Sequence, residues 1–368
     1  MRALAAALVT VAFWTQQAPP GGAGWSKDPS SPVLLPSPAG AFDEDGVFPG
    51  PVTRNGVTYR LWFTGLDRFG IERIGLATST DLLTWTKHLA NPLIYPGPSG
   101  SWDSAGTGQA TVDFDGISYR AWYRGVDAAG VGRIGLATSN DGTTFTKSPM
   151  NPVLNVGAAG SWDAGTIHFV HVVNDGNGYR MWYAASNAAG LVRFGSADSM
   201  NGTNWTKTFS NPEFGPGSPG EWDEGGLGSL RVIRDGMGWR MWYTGLGLDG
   251  RTRIGYAGSP DGHAWTRGPE NPVIREGLPG SWDEHSVYVG GTMLEGVYFK
   301  MWFGGRAALP GGTPSLGFAL ATVPPPPDTP STHSSCSYSA GDAAIAALPA
   351  ASLMALLLLI LVSRAHRR

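Results

Sequence analysis

"GWSK" at residues 24–27 is the short stretch on which the fold turns. Its counterparts "TWTK" (84–87), "TFTK" (144–147), "NWTK" (204–207) and "AWTR" (264–267) follow at intervals of 60 residues, and each closes a long repeating unit. GWSK alone stands before the first unit instead of at the end of one. Other registers keep the same period: "SPV" at 31, then "NPL" at 91, "NPV" at 151, "NPE" at 211 and "NPV" at 271. Phe42-Asp43 returns as Trp-Asp at 102, 162, 222 and 282, and "YRLWF" at 59 returns as "YRAWY", "YRMWY", "WRMWY" and "FKMWF". A fixed period of this size indicates a propeller or a solenoid.

Turn chemistry separates the two. Each unit carries a pair such as Asn55-Gly56, Asp115-Gly116, Asp175-Gly176, Asp235-Gly236 or Glu295-Gly296 ahead of its aromatic strand. Most of these are favoured type I′ hairpin pairs. A Gly-containing connection, a strand such as "RIGLATS", a second turn ("NDG" at 140–142, "PDG" at 260–262) and a fourth strand complete the unit. Four short antiparallel strands with no amphipathic helix make a propeller blade. The fifth unit runs through "FKMWFGG" (299–305) and "PSLGFALATV" (314–323) but has no fourth strand. Trp25-Ser26-Lys27, one period ahead of Trp85-Thr86-Lys87, supplies it and covers an open sheet edge. The expectation is an all-β, closed five-bladed β-propeller over residues 24–323.

Composition agrees with this. The 54 Gly and 15 Trp suit tight turns between aromatic-rich strands, and only 15% of residues are charged. A net charge of −3 argues against nucleic acid as a partner. One cysteine, Cys336, excludes an internal disulfide framework. Residues 1–23 read as a signal peptide and short leader, since "MRALAAALVTVAFW" has one Arg ahead of an apolar run. Residues 324–342 read as a Pro/Ser/Thr-rich spacer, 343–362 as a transmembrane helix or sorting span, and 363–368 as a basic cytoplasmic tail. The expected location is the cell envelope or surface, with the propeller exported and membrane-anchored. Cys336, the span and the terminal arginines resemble the tripartite C-terminal sorting tails of myxobacterial-type surface proteins.

The pattern "WYTG…RIGYAGSPDG…W…NPV" at 242–273 resembles the five-bladed glycoside hydrolase propellers of families 43, 32, 68 and 130, over about residues 24–323. "SPDGHAW" (259–265) is similar to a sialidase Asp-box one residue shorter. The resemblance implies a carbohydrate or glycan ligand and, if there is catalysis, a carboxylate pair. The chain departs from the family at the start of the first inner strand, "DGVFPGP" (45–51), which has no Asp-Pro, and the "RDP" and "EC" signatures are absent. A fold of this kind hosts many functions.

The repeat separates scaffold from site. Asp43, Asp103, Asp163, Asp223 and Asp283 occupy one position in every blade, so a structural role is expected: tying a turn, or pairing Arg60, Arg120, Arg180, Arg240 and Lys300. A ligand site must use what differs between blades, at the axial mouth where the inner strands begin. Asp45, Glu224 and Glu284 are the candidate catalytic acids, and Arg124, His168, His285 and Tyr288 the candidate substrate-binding residues. His168 and His171 lie three apart on a strand and face opposite ways, so no metal site is expected of them. No cofactor is implied, and the domain reads as a monomer. Short, nearly equal loops leave a second reading open, a non-catalytic envelope or protein-interaction scaffold.

Overall fold

The computed structural model describes residues 24–308 and 312–323. Every regular element among them is a β-strand. In the second blade, Gly106–Phe114, Tyr119–Val126, Gly132–Ser139 and Thr146–Lys147 run antiparallel from the axis outward. The third and fourth blades repeat this from Thr166–Asn174 to Thr206–Lys207 and from Gly226–Asp235 to Thr266–Arg267. In the first blade the inner strand is broken at "PGP" into Gly46–Phe48 and Val52–Asn55, both paired to Thr58–Leu66.

The fifth blade takes its outer strand from the N-terminus. Ser26 pairs with Leu320 and Lys27 with Ala319, matching Thr86 with Thr78 and Lys87 with Ala77 in the first blade. Five interfaces then close the ring. Trp62 packs on Tyr119, Trp122 on Tyr179, Trp182 on Trp239 and Trp242 on Phe299, with ring centroids 5.0–5.9 Å apart. At the seam, Trp302 shares a core with Tyr59 and Trp85, and Val47 N donates to Pro314 O at 3.0 Å. These five Trp are at most 1% exposed. They are the cement between blades, which explains their recurrence.

The repeated Asp is structural, but its partner differs from the expected one. Asp103 pairs with Lys147 (2.5 Å), Asp163 with Lys207 (2.6 Å), Asp223 with Arg267 (3.0 Å), Asp283 with Lys27 (2.5 Å), and Asp43 with Lys87. The cation is thus the basic residue ending the fourth strand of the same blade. Burial pushes the Asp163 carboxyl up, but the Lys207 ammonium and the Ser161 and Tyr183 hydroxyls outweigh it and hold its pKa below the ordinary value. Arg60, Arg120 and Arg180 instead reach the next blade and donate to the carbonyls of Asp141, Asn201 and Asp261. Those turns are tied by their own aspartates or asparagine: Asp141 Oδ1 accepts the N–H groups of Thr143 and Thr144 at 2.7 Å.

The "NP" registers have a job too. The Asn91 amide exchanges two hydrogen bonds with the Leu76 backbone, and Asn151, Asn211 and Asn271 repeat this at Leu136, Ser196 and Tyr256. Ser31 Oγ accepts Phe318 N in the fifth blade. The first hairpin turns differ from expectation by one residue. Asn55 pairs with Thr58 and Glu295 with Tyr298, so Gly56 and Gly296, with φ near +60°, lead Gly-X loops. Positive φ at the first central residue alone is the type II′ arrangement, which a glycine adopts without strain.

Candidate functional site

All five inner strands depart from regular pairing near their start, at the axial end beside the Trp-Asp turns. Register breaks fall between Gly108 and Thr111, Ile167 and Phe169, Leu227 and Leu230, and Tyr288 and Gly291. A bulge re-aims side chains locally. Gln109 has φ +48°, unusual for a residue with a side chain, and its N–H donates to Thr64 Oγ1 at 2.8 Å. Val289 N donates likewise to Thr244 Oγ1 at 3.0 Å. The Thr that ends a second strand thus pins the neighbouring bulge.

Blade-specific residues gather at this level. Arg124 Nη1 meets Glu72 Oε2 at 3.0 Å, and its Nε donates to Ile167 O at 3.2 Å. Both side chains remain about a fifth exposed. His168 lies close enough for burial and the Arg124 charge to lower its pKa, which keeps it neutral near pH 7. Its Nε2 sits 3.1 Å from Ser186 Oγ. Gly108 completes the group, because a side chain there would collide with the Glu72 carboxylate. Glu72, Arg124 and His168 come from three consecutive blades.

An aromatic pair stands at the same level on the fifth and first blades. The rings of Tyr288 and Phe48 are 5.7 Å apart and tilted by 36°. Gly304 makes this possible, since a β-carbon there would overlap the Tyr288 ring. The Tyr288 hydroxyl is buried with no hydrogen-bond partner among the described residues, and burial raises its pKa. His285 Nδ1 is 2.8 Å from Ser286 Oγ at the start of the same strand.

The candidate acids are placed differently. Glu224 Oε2 accepts Gly220 N at 2.8 Å, and Glu284 Oε2 accepts Gly280 N at 2.5 Å, so each ties its own Trp-Asp turn. Glu284 Oε1 also accepts Ala308 N at 3.1 Å. These N–H groups hold the Glu284 carboxyl below its usual pKa. Glu44 forms the equivalent turn bond to Gly40 N. Asp45 is exposed. A carboxylate bonded to backbone amides is a poor general acid, because those bonds favour its ionised form.

Glu72 was not among the expected residues. Its signal is the repeat itself: the equivalent positions are Gly132, Val192 and Thr252, so Glu72 is blade-specific in the way that singled out Arg124. Arg231, on the fourth inner strand, was also passed over. It lies deeper along the axis with Thr111 and His171, in the wall of a cavity of about 370 Å³. His171 Nε2 donates to Val232 O at 2.8 Å and Thr111 Oγ1 to Val170 O at 3.0 Å, so each side chain bridges to the next inner strand. Burial and the Arg231 charge push the His171 pKa down to about 3. The two histidines therefore make separate hydrogen bonds, and among the described residues no group of His, Cys, Asp and Glu is arranged to hold a metal.

No protein-family model matches this chain. An uncharacterized protein of Mycobacterium tuberculosis, Rv1502, is 28% identical over 269 residues, which cover 68% of this chain and 86% of the relative. The fold is similar to that of β-1,2-mannobiose phosphorylase from Listeria innocua, solved with β-1,2-mannobiose, with TM-score 0.63 and 16% identity over 81% of this chain and 97% of that one. It is also similar to a thermostable family-43 glycoside hydrolase, with TM-score 0.53 and 17% identity over 78% and 96%. These likenesses show a shared glycoside-hydrolase-type propeller fold.

Proposed function

We propose that this propeller binds carbohydrate at its axial mouth. The observation that carries the reading is the half-buried Glu72–Arg124–His168 group facing the level of the Phe48–Tyr288 pair, where the five-fold sameness of the scaffold is broken. An ion pair offers a fixed acceptor and donor to sugar hydroxyls, a neutral imidazole offers either, and aromatic edges and faces suit the C–H surfaces of a pyranose. The sugar ligands of fold neighbours, such as the mannobiose of the Listeria phosphorylase, support the ligand class. Hydrolysis at this mouth would fall to Asp45 with Glu224 or Glu284. The backbone bonds of the two glutamates favour binding over turnover.

Glycan-array screening followed by calorimetry tests this. Arg124→Ala and Glu72→Gln should each weaken the captured glycan at least 10-fold, with melting curves checking that each variant is still folded at the temperature of the binding assay. Wild-type affinity in both variants would remove the mouth from recognition. If a chromogenic glycoside is turned over and alanine at Asp45, Glu224 and Glu284 leaves the rate unchanged, those acids are not the catalytic ones.

We further propose that the domain is displayed outside the cell and held by its C-terminal tail. The outermost sequence features support this: the apolar run 343–362 and the arginines after it, which lie beyond the described residues. Thr322 pairs with Tyr298, and Val323 N donates to Val297 O at 2.8 Å, so the chain leaves beside a first-hairpin turn, on the face opposite the mouth. Truncation after Val323 should yield a soluble folded domain, whereas full-length protein should fractionate with membranes. Full-length protein in the cytosol would overturn the display reading.

A further inference from the structure

Arg231 is 1% exposed, and its Nε and Nη2 have no hydrogen-bond partner among the described residues. Nη1 donates to the carbonyl of its neighbour Leu230 at 3.0 Å, and the guanidinium lies 4.4 Å above the Phe169 ring. Thr111 and His171, the matching residues of the two preceding blades, reach forward to the next strand; Arg231 turns back instead. Arg234, three residues on, lines the same cavity of about 370 Å³, and it forms no ion pair among the described residues. Asp113 is the acid in that wall, and no ion pair joins it to either arginine. Burial lowers the Arg231 pKa to about 9, so the group is still protonated at neutral pH.

A guanidinium removed from water without an anion is one of the costliest groups a fold can hold. Cation–π contact with Phe169 and one carbonyl offset part of that cost but leave the charge unneutralised. Two arginines without ion pairs in the lining of one cavity have the chemistry of an oxyanion receptor: planar forked donors, and two positive charges against the one carboxylate of Asp113. We propose that the axial channel, on the side away from the mouth, binds a small oxyanion on the buried Arg231, with the exposed Arg234 as a second cation in the lining of the same cavity. Phosphate and the carboxylate of an acidic sugar share this chemistry. The site is separate from the carbohydrate mouth and stands without it.

The test is calorimetric titration of the full-length protein with inorganic phosphate and, in parallel, with galacturonate, at constant ionic strength. Saturable 1:1 binding is expected for at least one, and the tighter of the two identifies the source. The preferred anion should also raise the melting temperature. Arg234→Met, at an exposed position, should weaken binding at least 10-fold without changing the melt of the anion-free protein. Arg231→Met should abolish binding and raise the anion-free melting temperature, since it removes the unpaired charge. Absence of saturable binding by both anions overturns the proposal. So does undiminished binding in Arg234→Met, which decides the matter even if Arg231→Met fails to fold.

Discussion

Lys27→Met lowers the unfolding free energy by about 3 kcal/mol, although the lysine is near the start of the described chain. Its ammonium meets Asp283, whose carboxylate is 4% exposed and whose blade has no other fourth strand. Removing the lysine leaves a buried anion without its cation, the costly half of breaking a buried pair. The lysine itself is 29% exposed, so the loss falls at the lower end of the usual range. Lys147→Met in the second blade is the internal control, because Lys147 and Asp103 have the same geometry at 2.5 Å. Urea unfolding of both variants and of Lys27→Met/Asp283→Asn is the measurement. The double variant should recover part of the loss. Wild-type stability in Lys27→Met would mean that the N-terminal strand does not close the ring in solution.

That lysine also shows how the sequence could be read and misread. The period, the four strands per blade and the borrowed fourth strand were all legible, because each rests on spacing, and spacing survives substitution. The partners of the shared Asp were not. Lys27, Lys87, Lys147, Lys207 and Arg267 recur as faithfully as the aspartates do. They end two-residue strands, however, where a basic residue reads as a solvated edge, and only the folded ring carries them back over their own blade. Arg60 and its equivalents, on the long aromatic strand, looked like the nearer choice. They serve the next blade instead.

The mouth was half legible for a related reason. Arg124 and Tyr288 stood out by comparing blades at one position, and both lie where that comparison placed them. Glu72 needed the same comparison on a third strand, which lies outside the inner ring and reaches the mouth only because Gly108 leaves room. Glu224 and Glu284 stood out as blade-specific acids, but an acid two residues after a Trp can bond its own turn, and sequence alone does not reveal that bond. Arg231 in "LRVIRD" looks like one member of an alternating exposed face. Its burial appears only when five strands surround one axis.

The largest expected effect belongs to the tryptophans between blades. Trp122→Ala should cost about 3–5 kcal/mol, since a fully buried ring is replaced by a cavity that neighbouring sheets cannot collapse to fill. Trp122 packs on Tyr179 at 5.3 Å and edge-on to Trp205 at 6.2 Å, and its Nε1–H donates to Gly202 O at 2.7 Å. Trp182 and Trp302 make the same bond to Gly262 O and Leu82 O. Trp242 keeps the edge-on neighbour, Trp25 at 5.8 Å, but its Nε1 has no partner among the described residues. The carbonyl's source differs between blades. For Trp122, Trp182 and Trp302 it comes from the turn joining the third and fourth strands of the next blade; beside Trp242 those strands, Ser315–Thr322 and Ser26–Lys27, come from opposite ends of the propeller sequence, whereas Trp62 Nε1 has no partner among the described residues although the next blade keeps its turn. Phenylalanine at each position separates ring packing from the hydrogen bond. Trp122→Phe removes a hydrogen-bonded N–H and leaves the Gly202 carbonyl with the Trp205 Nε1–H alone, at 3.1 Å, whereas Trp242→Phe removes an N–H that has no partner among the described residues. Trp122→Phe should therefore be the more damaging by about 1 kcal/mol in chemical denaturation. Equal losses would show that Trp242 finds a partner at the seam, and that the borrowed strand reproduces a covalently joined blade more fully than the geometry implies.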